Sequence, residues 1–441
     1  MFLRPEPSLS EFTPQRVFGQ AGDQFGVAAW HDEFLERARF ERERNDDVAS
    51  RGALAAYLVA RVIDRALEGT LTEDDRQAYN WQLESARRYI GELDEGRPEV
   101  RHLDGILDAL RVVGSAHSPG VRMALTAFAY FLEHEGRLAE ALDILCLAAR
   151  THGSAIPPAD FPAIALFAGR LNRLQARFEA ATEAYVAAEE GARAIGDVNA
   201  RLVSRLGRAH VMRAQGNLPL ARAAVEEVIA EARAEGLTDT LSRAHADLGH
   251  VMNVQGDRLG ALRATYEAFK LAADPLNRMR YLGDLGVELS DLGYYDVARI
   301  AFGIVVGSNT SFIIKTNARL ELMEIESACG NRVAFERHRG ELREVASRMT
   351  PSMAVDYRFK AGTGLARFGQ FARAREAWAE GMRLAETHHL NEWYFRLERL
   401  SQQLDGCAAP QSSGAEPQTP PAAIADLAAG LTAYAEEAMP A

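Results

Sequence analysis

Seven short turns recur along the middle of this chain at nearly constant spacing, and that period constrains the fold more than any other feature. The turn residues are Gly136 in "EHEGRLAE", Ala176 in "RLQARFEA", Gly216, Gly256, Gly293, Gly330 and Gly369, separated by 40, 40, 40, 37, 37 and 39 residues. A fixed period of this size is the signature of stacked supersecondary units, each too small to bury its own apolar face. Small residues keep the same register. Five positions after each turn residue stand Ala141, Ala181, Ala221, Ala261, Ala298 and Ala374, with Phe335 the exception. Seven positions before it stand Ala129, Gly169, Ala209, Gly249, Gly286 and Gly362, with Met323 the exception. Twelve positions after it stand Ala148, Ala188, Val228, Ala268, Val305, Leu342 and Gly381.

The pattern predicts pairs of antiparallel helices packed closely. A glycine inside a helix costs about 1 kcal/mol relative to alanine, so its presence needs a compensating contact. Helix axes lie roughly 8–10 Å apart, and the closest crossings need the smallest side chains. Gly286 is therefore expected to bring the two helices of its own repeat together, with large residues such as Tyr295, Phe302, Phe371 and Trp378 filling the space alongside. On this reading Gly286→Ala is mild and Gly286→Leu is not.

From Val121 to Leu390 the chain resembles the tetratricopeptide repeat (TPR) family. The stretches "LSRAHADLGHVMNVQGDRLGALRATYEAFKLA", "RYLGDLGVELSDLGYYDVARIAFGIV" and "FKAGTGLARFGQFARAREAWAEGMRLA" carry the likeness most faithfully. The resemblance implies an all-α, right-handed α-solenoid of about seven TPR-like helix pairs, here with an N-terminal helical bundle. The period exceeds the family's usual ~34 residues, which implies helices about a turn longer, as in regulatory TPR proteins. The family's closing proline is mostly missing, although Pro275 and Pro351 lie near repeat ends. The sixth repeat departs from the pattern and is expected to change the curvature. HEAT-like repeats share the longer period but do not explain the Gly/Ala register.

The expected organisation is an irregular arm over 1–27, helices over 28–115, repeats over 119–390, a capping helix over 391–406, a linker over 407–422 and a tail helix over 423–441. Residues 28–115 show no copy of the register, so a separate bundle and degenerate repeats both remain open. The helix "NEWYFRLERLSQQLDG" is placed to cover the last exposed repeat face, as solenoids require. The linker "CAAPQSSGAEPQTPPA" has no means of forming a core. In the tail, Ile424, Leu427, Leu431 and Tyr434 form one apolar stripe. Two expectations stay open, docking in the basic groove or at the solenoid end of its own or a neighbouring molecule, and a disordered tail with nascent helix.

Charge and motifs narrow the chemistry. The net charge is −12 and the basic residues are scattered, which argues against a general nucleic-acid surface. Cys146, Cys329 and Cys407 are odd in number and far apart, as expected of a reducing compartment. The start "MFLRPEPSLSEF" has no apolar core of a signal peptide, and the best apolar run, "ALAAYLVARVI", is short and broken by Arg61. A cytoplasmic location with no membrane partner follows as the expectation. No Walker loop, HExxH pair, CxxC pair or GxSxG elbow is present. "GTGLARFG" copies a dinucleotide fingerprint without the preceding strand that such a site needs. The reading is a non-enzyme with no cofactor and no metal.

In the TPR family the first helix of each pair lines the concave face. Counting from its small residue, positions one and four beyond point inward, giving Arg170, Arg173, His210, Arg213, His250 and Asn253; positions six before add Arg243 and Arg280. Choosing Gly207 in place of Ala209 turns Arg208 inward instead, and Glu324 interrupts the basic run. Arginine holds carboxylates with two parallel hydrogen bonds, so the partner is expected to be a protein or peptide, acidic or with a free C-terminal carboxylate. The alternative is that these arginines pair with Asp247, Asp284 and Glu189. Three functions are consistent with the sequence. They are an interaction scaffold, a peptide-responsive regulator resembling the Rap-type proteins in architecture alone, and an enzyme with a site between bundle and repeats.

Overall fold

The structure is a computed structural model that describes residues 12–18, 31–43, 45–68, 73–94, 96–113, 115–388, 390–406 and 422–438. Every regular element among them is helical. The chain divides into two compact units, Met1–Ala224 and Val225–Ala441.

In the first unit α1 (Pro14–Phe18), α2 (Asp32–Glu43), α3 (Asp47–Leu67), α4 (Glu73–Gly91) and α5 (Pro98–Val113) precede the repeats. The repeats begin with α6 (Pro119–His134) and α7 (Leu138–Arg150), followed by α8 (Phe161–Leu174) and α9 (Phe178–Ile195). The third pair is α10 (Val198–Ala214) and α11 (Leu218–Ala234). The second unit continues with α12 (Thr238–Val254), α13 (Arg258–Leu271), α14 (Pro275–Asp291), α15 (Tyr295–Gly307), α16 (Phe312–Ala328) and α17 (Arg332–Glu344). It closes with α18 (Pro351–Arg367), α19 (Phe371–Thr387), α20 (Asn391–Gly406) and α21 (Ala422–Ala438).

All seven turn residues adopt the left-handed backbone conformation, Gly293 at φ 83° and even Ala176 at φ 57°. The reversal is closed by Gly293 N–H donating to the Ser290 carbonyl and Tyr294 N–H to that of Leu289, both at 2.9 Å, which satisfies carbonyls the helix end would otherwise leave open. Pro275 and Pro351 do not close repeats. They sit in the first turns of α14 and α18, behind the N-caps Asp274 and Thr350, where a missing N–H costs nothing.

The small residues make room for one large partner sixteen positions later. A Cβ at Gly286 would stand 2.7 Å from the Phe302 ring, and one at Gly362 would stand 2.3 Å from Trp378. Gly169 faces Tyr185 and Gly249 faces Thr265 in the same way, at 2.8 and 2.5 Å. This differs from the expected tolerance of alanine at 286, because the obstacle is a buried ring rather than a movable chain end. Tyr185 also fills the space over Gly207, at 2.2 Å, so Gly207 and Ala209 both serve packing. The sixth repeat inverts the arrangement. Met323 and Phe335 are fully buried, and the Phe335 ring is accommodated by Gly364 of the next repeat, 2.2 Å from the Cβ that glycine lacks.

In the first unit one apolar core runs without a break from Phe12 through Ile63, Leu107 and Phe128 to Phe161 and Ala188. Ion pairs add to it. Arg137, at the N-cap of α7, donates to Glu99 of α5 and to Glu140, at 2.5 and 2.6 Å. Arg150 donates to Asp64 of α3 at 2.6 Å, and His31 joins Asp64 and Asp143 at 3.0 and 2.6 Å. The arm read as irregular holds the short helix α1, and Phe12 before it packs edge-on against Phe161. Because helices 31–113 and the first repeats share this core, limited trypsin digestion is expected to release no stable fragment ending near residues 114–120. A protected fragment of residues 1–115 on a gel would show instead that the helices fold as a separate domain.

The second unit has a core around Leu285, Phe302 and Val305 and another around Phe335, Trp378 and Leu397. Leu397 of α20 lies against Gly381, and Trp393 meets Phe359 edge-on at 5.7 Å. Residues 407–421, most of the expected linker, lie outside the described residues. The tail helix α21 buries Ile424, Leu427 and Leu431, the stripe read from the sequence. Its contacts include α15 and the Tyr266 and Phe269 rings of α13, both second helices, whereas the groove offered as one docking place lies on first helices.

Candidate functional site

First helices touch first helices, α8 against α10 in the first unit and α14 against α16 against α18 in the second. Inward positions on these helices therefore form continuous surfaces within each unit.

In the first unit, α8 and α10 carry Arg170, Arg173, His210 and Arg213, all half-buried. Arg170 is already engaged. Its Nη2 donates to Glu133 of α6 at 2.6 Å, and its guanidinium lies 4.9 Å from the Phe167 ring centre and 5.6 Å from that of Tyr130. These two rings stack on each other at 4.1 Å, and Tyr130 is 50% exposed. Stacking fixes the guanidinium plane while leaving one edge open. Arg208 pairs with Glu189 at 3.0 Å, as the pairing alternative requires. Arg173 and Arg213 differ, because neither has a carboxylate partner among the described residues. The buried Nε of Arg173 has no acceptor at all. The two occupy the same register position one repeat apart, on helices in contact.

In the second unit, α12 and α14 carry Arg243, His250, Asn253 and Arg280. Arg243, Asn253 and Arg280 are exposed and His250 is half-buried. Burial pushes the Asp284 carboxyl above the usual carboxylate range, while the neighbouring His250 and Arg280 pull it back. Arg280 also lies over the Tyr281 ring at 5.0 Å. Arg243 has no ion-pair partner among the described residues.

A second set of charges on the same helices extends the carboxylates Asp247 and Asp284 of the pairing alternative. Two positions before the small residue stand Asp247, Asp284 and Glu321 in successive repeats, and in the next repeat Lys360. The Lys360 ammonium is buried, 2.5 Å from Glu321, 3.2 Å from Asp356 and 3.6 Å from Glu324. Burial alone would lower the lysine's proton affinity; Glu321, Asp356 and Glu324 overcome that and hold it above the ordinary lysine range. Glu321 and Asp356 are themselves pushed up by burial, against the pull of Lys360. The first helices are thus basic over α8 and α10 in the first unit and dominated by carboxylates over α14 to α18 in the second. The signal was present at the same register, one step from the positions counted.

The glycines of "GTGLARFG" sit inside α18, where Trp378 and Phe335 fill the space above Gly362 and Gly364 and leave no cradle for a phosphate. Among the described residues no three His, Cys, Asp or Glu side chains are grouped to hold a metal ion, and no helix is long and apolar enough to cross a membrane.

No family model matches the chain, and no curated protein matches it in sequence. Solved structures do align with it. A Rap protein crystallised with competence and sporulation factor is 10% identical, covering 85% of this chain and 98% of its own, with a TM-score of 0.43. The apo quorum sensor NprR from B. thuringiensis is 11% identical over 80% and 97%, with a TM-score of 0.46. NprR with its cognate peptide NprX is 12% identical over 81% and 97%, with a TM-score of 0.43. At such identities and scores, the ligand of this chain has to be argued from its own residues.

Proposed function

We propose that the chain is a non-catalytic interaction protein that holds a peptide or helical segment of a partner against its first helices. The observation that carries this is the pair Arg173 and Arg213. Most inward-facing charges here are compensated within the fold, and these two are not. Two unpaired guanidinium groups on adjacent helices fit an acidic side chain or a C-terminal carboxylate. Arg170, clamped by Glu133 over the stacked rings, orients the approach and offers Tyr130 to an apolar side chain. His210 lines the same surface. Arg243, His250, Asn253 and Arg280 serve as further partner-binding positions on the second unit, where Asn253 supplies hydrogen bonds to a peptide backbone.

A peptide-responsive regulator of Rap-like architecture is the second reading. It is favoured by the ion pairs that fasten α3 and α5 to α7, since these give partner binding on the repeats a physical route to the N-terminal helices.

The test is a displayed library of random decapeptides with free C-termini. The wild-type chain is expected to enrich acidic residues or to require the free carboxylate. A charge-assisted hydrogen bond contributes about 1.5–3 kcal/mol, so Arg173→Glu with Arg213→Glu should weaken the selected peptides at least 100-fold with helical circular dichroism unchanged. Equal enrichment by wild type and double variant would remove the arginines from the site.

A further inference from the structure

The seat of α21 is built for one particular helix. Ile424, Leu427 and Leu431 are 1, 4 and 0% exposed, which places positions i, i+3 and i+7 on the contact line. At i+6 stands Gly430, where a Cβ would lie 2.4 Å from the Tyr266 hydroxyl oxygen, so only glycine lets the helix come this close. At i+10 the Tyr434 ring meets the edge of Phe269 at 5.2 Å and 87°. The acceptor is formed by Tyr266 and Phe269 of α13 together with α15. Gly430 under Tyr266 and Tyr434 against Phe269 thus fix the register of α21 on this face.

The attachment is weaker than the match. α21 joins α20 through fifteen residues, 407–421. Covalent attachment through so short a stretch keeps α21 at a local concentration on the order of millimolar. An alanine-rich helix of this length is marginal in water by itself, so α21 folds as it docks. A contact of this kind closes because it is tethered, and it opens to a competitor that offers the same side chains.

We infer that α21 is a displaceable internal ligand, and that the α13/α15 face beneath it is a docking surface for an amphipathic helix. The incoming helix carries apolar residues at i, i+3 and i+7, glycine at i+6 and an aromatic ring at i+10. The surface is independent of the arginine site, so either can fail without the other.

The probe is a fluorescein-labelled synthetic peptide of residues 422–438, followed by anisotropy against the full-length chain. Leu427→Asp with Leu431→Asp unseats the chain's own α21 and alters nothing else in the core. The peptide is expected to bind this double variant at least tenfold more tightly than wild type, and adding Phe269→Asp should abolish the gain. Circular dichroism and melting temperature confirm that each variant is folded. Equal binding to wild type and double variant would mean that α21 does not occupy the face. Absence of binding to a folded double variant, or binding that survives Phe269→Asp, would mean that the face is not a helix-docking surface.

Discussion

Gly286→Leu is expected to destabilise the chain by about 3 kcal/mol or more, beyond the middle of the range for overpacked cores. The cause is the Phe302 ring, 1% exposed and 2.7 Å from where the new Cβ would sit. Gly286→Ala has two opposing terms. Helix propensity gains about 1 kcal/mol, and pressing a methyl into a fixed ring loses about 1–3 kcal/mol. The net effect should be a loss of about 1 kcal/mol. Phe302→Ala empties the same space and should cost about 3–5 kcal/mol. Combining Gly286→Ala with Phe302→Leu should be less harmful than the sum of the two, by about 0.5–1 kcal/mol. Urea melts of the four chains close the cycle. Strict additivity would show that the two positions do not touch.

The second large effect is on pH dependence. The His31 ring lies between Asp64 of α3 and Asp143 of α7, and Asp64 in turn faces Arg61 and Arg150. Burial would lower its proton affinity, but hydrogen bonds to Asp143 and Asp64 reverse this and raise its pKa from 6.5 to about 9. The Cys146 thiol, pushed up to about 12 by burial, stays protonated throughout. The folded state thus binds a proton that the unfolded chain releases above 6.5. The contribution is fully present below pH 6.5 and is lost as pH rises through about 9. At about 1.4 kcal/mol per unit, the loss is on the order of 3 kcal/mol. His31→Gln should be less stable than wild type at pH 6, with the gap closing by pH 9.5. Parallel stability curves for the two chains between pH 6.5 and 9 would show that His31 is not charged in the fold.

Turns and small residues were legible because both depend on the chain's own spacing. A left-handed turn needs its glycine wherever the helix ends, and a close crossing needs its gap one pair of helix turns away. Contacts between repeats were less legible. Arg170 looked free because its partner, Glu133, stands one repeat earlier at a position not counted. Phe335 looked like a defect because the gap that receives it, Gly364, belongs to the next repeat. Asp247 and Asp284 were readable as pairing partners, but the continuation of their column to Glu321 and Lys360 was not, because that contact joins two repeats. The tail stripe was readable in full, while its seat was not. Tyr266 and Phe269 are spaced as any half-buried helix face would be, and no rule of sequence says which apolar face awaits which helix.

The location of each gap and its filling residue also determines where the array can be cut. In the fifth repeat, Gly286 and Phe302 lie on one hairpin, so residues 275–307 carry a complete small–large pair. Such a segment can be duplicated or exchanged as a cassette without orphaning a bulky ring. The sixth and seventh repeats cannot be separated in this way. A copy of residues 312–344 inserted alone would bring Phe335 without Gly364, and its ring would meet a side chain where it needs a space. Tyr185 and Gly207 tie the second and third repeats together by the same rule. Recombination among related genes would therefore leave these two junctions intact and break most freely around the fifth repeat.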